Sequence, residues 1–100
     1  MKYDKSKADI SLIPTKALSG VAKVFEFGAK KYHAFNWVVD GSTTEWRRTY
    51  SSVQRHLHSW LEREDIDPES GLDHLSHACT QLLILIEHQK HKEMDNRCPK

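Results

Sequence analysis

Residues 46–61 read Trp46-Arg-Arg-Thr-Tyr50-Ser-Ser-Val53-Gln-Arg-His-Leu57-His-Ser-Trp60-Leu61. The apolar side chains recur at intervals of four, three, four and three residues, which places them on one face of an α-helix in a narrow seam. Just before this run, Ser42-Thr-Thr-Glu45 has the form of a capping box. The sequence therefore predicts an amphipathic helix that opens at this capping box.

Similar patterns lie on both sides of this helix. Upstream, apolar or small residues recur at helical spacing behind Pro14, a residue that suits the first turn of a helix: Ala17, Val21, Val24 and Gly28. Downstream, a second seam begins after Leu72: Leu75, Cys79, Leu82 and Ile86. Two starts for this last helix remain open, Asp67 followed by Pro68, or Ser70 with Asp73.

The remaining segments complete a prediction of an all-α fold. Residues 30–44 have no clean period and are rich in aromatic residues, so we expect an irregular loop that packs over the helices. No strand pattern competes. About three helices with two apolar seams in 100 residues predict that a second copy completes the helical bundle. We expect a flexible polar arm over 1–11, one helical domain over 12–90 and a charged tail over 91–100, with His88 at the surface.

Composition excludes several classes of function. Fifteen basic and fourteen acidic residues give a net charge of +1, which provides no basic field for a nucleic acid polymer. The longest apolar run, residues 82–86, is too short to cross a membrane, and the polar amino terminus does not resemble a signal peptide. Two cysteines do not form a disulfide framework. We expect a cytoplasmic protein.

The densest polar feature spans residues 62–77. It ends with His74 and His77 and sets six carboxylates against one base, Arg63: Glu62, Glu64, Asp65, Asp67, Glu69 and Asp73. Such an oxygen-rich cluster suits Mg²⁺ or Mn²⁺, although a solvated acidic turn explains the same spacing. If the two seams pack together, His56 converges with His74 and His77.

A second cluster is basic and aromatic. It lies around the irregular loop and on the following helix: Lys30, Lys31, Tyr32, Asn36, Trp37, Arg47, Arg48 and Arg55. Cationic side chains bind phosphates, an aromatic face stacks on a base, and an amide reads a base edge. Solvated lysines and a core tryptophan explain these residues equally well one by one. The combination of both clusters is typical of metal-dependent chemistry on a triphosphate.

The sequence resembles a known family over roughly residues 2–88. The residues that carry the resemblance are Leu12-Ile13-Pro14, Ala17-Leu18, Phe27-Gly28-Ala29-x-Lys31-Tyr32-x-x-x-Asn36-Trp37, Arg55-His56-Leu57 and Glu64-Asp65-x-Asp67-x-Glu69-Ser70-Gly71-x-x-His74-Leu75-x-His77-Ala78. These motifs are similar to those of the phage dATP/dGTP diphosphohydrolase N-terminal domain family, which is linked to the all-α, MazG-like nucleoside triphosphate pyrophosphohydrolases.

The resemblance implies an Mg²⁺- or Mn²⁺-dependent enzyme that converts purine dNTPs to dNMP and pyrophosphate, and usually a homo-oligomer. It implies three sets of site residues. Glu64, Asp67 and Asp73 are the expected metal ligands, with Asp65 and Glu69 in reserve. The expected catalytic residues are His56, His74 and His77. The expected nucleotide-binding residues are Lys31, Tyr32, Asn36, Trp37 and Arg55. Arg63 occupies a position where the family implies glycine.

A second function remains open. MazG-like enzymes carry Glu-x-x-Glu or Glu-x-x-Asp pairs on facing helices, and neither the second nor the third predicted helix of this sequence has such a pair. The same scaffold would then serve as a non-catalytic phage protein that sequesters a nucleotide, including a cyclic or signalling nucleotide. A third function, a helical module for subunit interactions, would leave both polar clusters at the surface.

Overall fold

The computed structural model describes residues 7–39 and 45–100. It contains three α-helices in sequence, α1 (Thr15–Lys31), α2 (Trp46–Leu61) and α3 (His74–His88). Short 3₁₀ turns cover Ile10–Leu12 and Lys92–Met94. These described ranges contain no β-strand, only one isolated bridge between Ile66 and Asp73. The all-α prediction is confirmed. None of the helices in these ranges has the length and apolar character needed to cross a membrane.

Helix boundaries follow local signals. Pro14 stands directly before the first residue of α1. Of the two possible starts for α3, the structure has the later one, because the Asp73 carboxylate accepts a hydrogen bond from the Ser76 backbone N–H and caps the helix. Glu45 occupies the N-cap position of α2 rather than the third helical position that the capping box predicts, and its side chain makes no capping hydrogen bond. The other residues of the expected capping box, 42–44, and most of the lysine-rich arm lie outside the described residues.

Helix α3 packs against both α1 and α2. Its approach to α1 is close at Gly20, where a Cβ atom would lie 2.7 Å from Ser76 Oγ. The Thr80 hydroxyl lies 3.4 Å from the Val21 carbonyl oxygen of α1, to which it donates a hydrogen bond. Small and hydrogen-bonding side chains therefore hold these two helices together.

The inward face of α3 is polar, and its apolar seam does not face the core of this chain. Five of its six buried residues carry polar side chains: His74, Ser76, His77, Thr80 and His88. The seam residues Leu75, Leu82 and Ile86 are instead 44%, 45% and 61% exposed. Periodicity places residues on a common face, but it does not say whether that face meets the same chain or another one.

The seam of α2 is buried mainly in its first half. Trp46 and Val53 lie in the core, while Tyr50, Trp60 and Leu61 are exposed. Buried apolar side chains are few, and none of those described is less than 2% exposed: Val21, Val24, Trp46, Val53, Ala78 and Met94. A core this thin leaves much apolar surface for a partner.

The segment after α3 folds back on the start of α2. Met94 is buried, and the cationic groups of Lys92 and Arg97 lie 5.4 and 4.9 Å from the centre of the Trp46 ring. The Trp46 indole N–H donates to the carbonyl oxygen of His88. His88 is buried, so its predicted surface position is wrong. The physical reason is that its Nε2 hydrogen-bonds to the Trp37 carbonyl oxygen at 2.6 Å and anchors the aromatic loop.

Helix α2 ends in a Schellman-type cap. The backbone N–H of Glu64 donates to the Ser59 carbonyl oxygen, and that of Arg63 donates to the Trp60 carbonyl oxygen. Arg63 has a φ of +71°, in the left-handed region that favours glycine. This geometry explains why the family implies glycine at position 63.

Arg63→Gly is expected to raise the free energy of unfolding by about 1 kcal/mol, because a side chain in the left-handed region costs about 1–2 kcal/mol. Urea denaturation measures the change. Arg63→Ala is the matched control, since it removes the same charge but keeps the Cβ atom, and it should give no comparable gain. Equal stabilisation by both substitutions would attribute the gain to charge and contradict this explanation.

Candidate functional site

The turn between α2 and α3 folds the acidic segment onto the helices. Backbone hydrogen bonds close it, from Asp67 N to the Leu72 oxygen and from Gly71 N to the Asp67 oxygen, both at 2.8 Å. The His74 backbone N–H also donates to the Asp65 carbonyl oxygen at 2.8 Å. Within this turn the Asp67 side chain is only 15% exposed, whereas that of Glu69 is 62% exposed. The fold therefore selects one carboxylate of the cluster and turns it inward.

Three histidines from α2 and α3 meet beside this carboxylate. The rings of His56 and His77 are stacked, with centroids 4.6 Å apart and an interplanar angle of 8°. His77 Nε2 lies 3.3 Å from Asp67 Oδ2 and 2.6 Å from Ser70 Oγ. His56 Nδ1 lies 2.9 Å from His74 Nδ1. The structure thus brings together the three histidines expected to be catalytic.

The hydrogen bonds that link Glu64, His74 and His56 determine which ring nitrogens carry protons. An ionised carboxylate only accepts, so His74 Nε2, at 2.7 Å from Glu64 Oε1, is the donor in that contact. When His74 is neutral, its Nδ1 must then accept a hydrogen bond from the Nδ1–H of His56. This assignment leaves the lone pair of His56 on Nε2, where it can bind a metal or accept a proton.

Burial keeps two of these histidines neutral. Desolvation lowers the pKa of His56, and the nearby His77 and His74 lower it further. Desolvation also lowers the pKa of His77, although Asp67 opposes the shift. Both rings are therefore uncharged at neutral pH, the form in which imidazole binds metals.

The free energy of unfolding is expected to decrease as the pH falls below about 6.5, the ordinary histidine pKa. Because folding lowers the pKa of His56 and His77, the unfolded chain binds more protons in that window. This stability is fully present above pH 6.5 and is lost as the pH falls toward the folded pKa values. Urea denaturation between pH 7.5 and 5 tests it. His77→Gln should flatten the profile, while the exposed His33→Gln should not; a wild-type profile flat across this window would contradict the assignment.

A cavity of about 470 Å³ opens next to the histidine cluster. Its wall includes His56, Asp67 and His77 together with four of the five residues expected to bind nucleotide: Lys31, Tyr32, Asn36 and Arg55. Phe27, Gly28 and Glu69 also line it. Elements distant in sequence, the end of α1, the aromatic loop, α2 and the acidic turn, thus meet at one cleft.

Two cationic side chains, Lys31 and Arg55, line this cavity together with the carboxylates of Asp67 and Glu69. Lys31 Nζ lies 2.9 Å from Glu69 Oε2, and this hydrogen bond raises the pKa of the lysine. The same Nζ lies 5.4 Å from the centre of the Tyr32 ring. The guanidinium of Arg55 forms no ion pair with any residue in the described part of the chain. Arg55 is therefore available to a phosphate group.

Four of the expected site residues do not line the cleft, among them His74, which contacts His56 and Glu64. Trp37 lines a neighbouring cavity. The Glu64 carboxylate is bound to His74 and does not line the cleft. Asp73 is occupied at the start of α3, where its carboxylate accepts hydrogen bonds from the Ser76 backbone and hydroxyl at 2.7 and 2.8 Å. Burial opposes ionisation of Asp73, but these hydrogen bonds outweigh it and lower its pKa. The three expected metal ligands therefore do not converge.

The contacts of two residues in the site were not predicted from the sequence, although Glu69 was expected as a reserve metal ligand. Ser70 was of interest only as a possible helix cap, yet its hydroxyl contacts both His77 Nε2 and Asp67 Oδ2. Glu69 pairs with Lys31 across 38 residues of sequence. The triplet Glu69-Ser70-Gly71 belongs to the motif that carries the family resemblance, and this was the available signal.

His56, Asp67 and His77 could together hold a metal ion. Each offers one ligand atom, and the three atoms lie within 4.8 Å of one another. Two imidazole nitrogens and one carboxylate oxygen suit Mn²⁺ and other first-row transition ions better than Mg²⁺, which prefers an all-oxygen environment. The donor set fits a divalent cation and favours Mn²⁺ among the two ions expected from the sequence.

Comparisons with known proteins identify the family of this chain. The family model described as "dATP/dGTP diphosphohydrolase, N-terminal" matches residues 1–97. A dATP/dGTP diphosphohydrolase of Salmonella phage PMBT28 is 35% identical over 85 residues, which cover 85% of this chain and 28% of that protein. The chain thus spans little more than a quarter of this relative. No solved structure shows significant similarity. The chain belongs to the dATP/dGTP diphosphohydrolase N-terminal family.

Proposed function

We propose that this chain carries the nucleotide- and metal-binding site of a nucleoside triphosphate pyrophosphohydrolase that converts dATP or dGTP to dNMP and pyrophosphate. The observation that carries the proposal is the single cleft lined by Lys31, Arg55 and the group His56, Asp67 and His77. The name of the phage relative, dATP/dGTP diphosphohydrolase, supports the same reaction class and substrates. Its place of action would be the cytoplasm of an infected cell, where dNTPs are available.

The cationic residues bind the triphosphate. Arg55 presents a guanidinium without an ion-pair partner in the described ranges, and a guanidinium matches the geometry of phosphate oxygens. Lys31, exposed and now paired with Glu69, exchanges that carboxylate for a phosphate. Tyr32 and Asn36 line the same wall.

His56, Asp67 and His77 hold the cation, which we propose to be Mn²⁺. When bound, it neutralises triphosphate charge and lowers the pKa of water. The low pKa values of His56 and His77 keep both rings ready as ligands at neutral pH. His74 acts as a positioning residue, because its contacts with Glu64 and His56 orient the His56 ring.

The reaction is an attack of water on the α-phosphorus. The bond from water oxygen to the α-phosphorus forms as the bond from that phosphorus to the α,β-bridging oxygen breaks, so pyrophosphate leaves and dNMP remains. The carboxylate of Glu69 accepts the proton of the water once Lys31 has turned to the phosphates. Glu69 is suited to this role because it lines the cleft and its carboxylate is largely exposed.

A chromatographic assay tests the proposal. Purified protein is incubated with each dNTP and Mn²⁺ or Mg²⁺, and products are separated by ion exchange. We expect dNMP and pyrophosphate from dATP or dGTP, with suppression by a chelator and faster turnover with Mn²⁺. Release of inorganic phosphate with dNDP, or turnover that a chelator does not reduce, would contradict the proposed reaction.

One observation favours a second function, non-catalytic nucleotide binding. Of the expected acidic ligands only Asp67 lies with His56 and His77, because Glu64 is bound to His74 and Asp73 caps α3. A site with one carboxylate neutralises less metal charge than the acidic pairs of MazG-like enzymes. Tight binding with the nucleotide recovered intact in the same assay would favour this function, and cyclic or signalling nucleotides would then be the next ligands to test.

Homo-oligomerisation is a further part of the proposal. Leu75, Cys79, Leu82 and Ile86 form an exposed seam with the four-three-four spacing of helix–helix contacts. We expect light scattering at micromolar concentration to give at least the mass of a dimer, and Leu82→Glu to give a monomer. Leu12→Glu, at an exposed position outside the seam, is the control. A wild-type monomer would contradict this part.

A further inference from the structure

A second cavity, of about 600 Å³, lies on the other side of the aromatic loop. Helix α1, the loop and α3 form its walls, and most of the side chains are apolar: Ala22, Phe25, Ala29, Ala34, Phe35, Trp37, Leu83, Ile84 and Ile86. Its size falls within the range of about 300–1,000 Å³ found for small-molecule sites. Neither the histidines nor the cationic residues of the first cleft line it.

The two cavities adjoin one another. Phe25, Asn36 and Ile84 line both, so the two cavities share part of one wall. Asn36 lies at the boundary, and its Oδ1 would be 3.8 Å from a Cβ atom built on Gly28. Because this amide faces both spaces, it is placed at the junction of two parts of one ligand.

The charges in the second cavity determine which part of a nucleotide it can hold. The charged residues that line it, Glu26 and Glu87, are both acidic. A triphosphate would be repelled there, whereas an uncharged base would not. Glu87 Oε2 lies 3.4 Å from Lys90 Nζ. The carboxylate of Glu26 is exposed and makes no hydrogen bond or ion pair with any other residue of 7–39 or 45–100, so it can accept hydrogen bonds from a ligand at this wall.

The aromatic loop provides a surface for stacking. Phe35 and Trp37 are in an edge-to-face arrangement with centroids 6.2 Å apart, and both line the cavity. The buried His88 ring holds the backbone of this loop at the Trp37 carbonyl oxygen. Bases stack on aromatic side chains, so this aromatic pair offers a stacking surface to a base.

We propose that this cavity is the base subsite of the nucleotide site and that it prefers guanine to adenine; this inference rests on the proposed function. Glu26 accepts hydrogen bonds from N1–H and the 2-amino group of guanine. Adenine has an acceptor at N1 and no 2-amino group, so it leaves the carboxylate without a partner and places two acceptors together. Asn36 donates from its amide to O6 or N7 of the base. The triphosphate then extends toward Lys31 and Arg55.

Calorimetric titration in the presence of Mn²⁺ tests this inference with three probes: α,β-imido-dGTP, α,β-imido-dATP and inorganic tripolyphosphate. We expect the guanine analogue to bind about tenfold more tightly than the adenine analogue, as a discrimination of about 1.4 kcal/mol would give. In Glu26→Gln this preference should disappear, with tripolyphosphate affinity unchanged. Glu62→Gln, an exposed acidic position outside both cavities, is the matched control and should keep the preference.

The three probes distinguish a failure of the base subsite from a failure of the proposed function. Equal affinity of the wild-type protein for both bases, or a preference that survives Glu26→Gln, would overturn the base subsite while tripolyphosphate binding still supported the phosphate site. Absence of binding by all three probes would overturn the proposed function and the subsite together. A uniform loss of affinity for all three probes in Glu26→Gln would show a general electrostatic or structural effect and overturn the subsite.

Discussion

Asp67→Asn is expected to reduce dNTP turnover at least about 100-fold, which corresponds to about 2.7 kcal/mol of transition-state stabilisation. In the described ranges, Asp67 is the carboxylate with an oxygen within 4.8 Å of ring nitrogens of both His56 and His77. Asparagine keeps an oxygen at Oδ1, where the Glu69 backbone N–H donates at 3.1 Å, so the turn should survive the substitution. The effect should therefore appear in metal affinity and kcat rather than in unfolding.

Two control variants test whether the loss of turnover is specific to Asp67. Asp65→Asn removes an exposed carboxylate from the same turn and should leave turnover within about twofold, since surface changes away from a site have small effects. Asp73→Asn should likewise preserve turnover, because asparagine is also a good N-cap residue. If Asp67→Asn retains activity, or if Asp73→Asn loses it at unchanged stability, the metal ligands are not the ones assigned to the cleft.

Arg55→Ala is expected to raise the Kd for tripolyphosphate and the KM for dNTP by about 10- to 100-fold. A hydrogen bond to a charged group contributes about 1.5–3 kcal/mol, and the Arg55 guanidinium has no competing ion pair in the described chain. Calorimetry and steady-state kinetics measure the two constants. Arg55→Lys should restore part of the loss, because lysine supplies charge without the bidentate geometry.

Arg48→Ala is the matched control for this prediction. Arg48 is an exposed arginine on the same helix, and it does not line the cleft. Its removal should change neither the Kd nor the KM by more than about twofold, because a distant charge adds only a weak attraction that salt screens. Equal losses in Arg48→Ala and Arg55→Ala would mean that net charge, and not a bound phosphate, explains the effect.

Local sequence patterns predicted the helices well. The spacing from Trp46 to Trp60 placed α2, and Asp73 was one of two possible caps for α3. The pattern could not say which face of α3 is buried, because Leu75, Leu82 and Ile86 have the same period whether they meet this chain or another. The inward face is set by contacts distant in sequence, such as that of Thr80 with the backbone of Val21.

Helical spacing also predicted part of the candidate site. Helical spacing puts His74 and His77 on one face of α3, and a packed α2 then brings His56 beside them. The order within the acidic turn could not be predicted. The backbone hydrogen bonds of that turn determine which carboxylate points inward. They place Asp67 inside and leave Glu69 exposed, while Asp73 caps α3.

Paramagnetic broadening by Mn²⁺ is the most direct test of the central claim that His56, Asp67 and His77 form a metal site inside the nucleotide cleft. Histidine imidazole signals of the wild-type protein are followed by NMR while Mn²⁺ is added below one equivalent. We predict that the signals of His56 and His77 disappear first, while those of the exposed His33 and His58 persist. Loss of all histidine signals in parallel, or persistence of His56 and His77 after the exposed histidines have faded, would contradict the account.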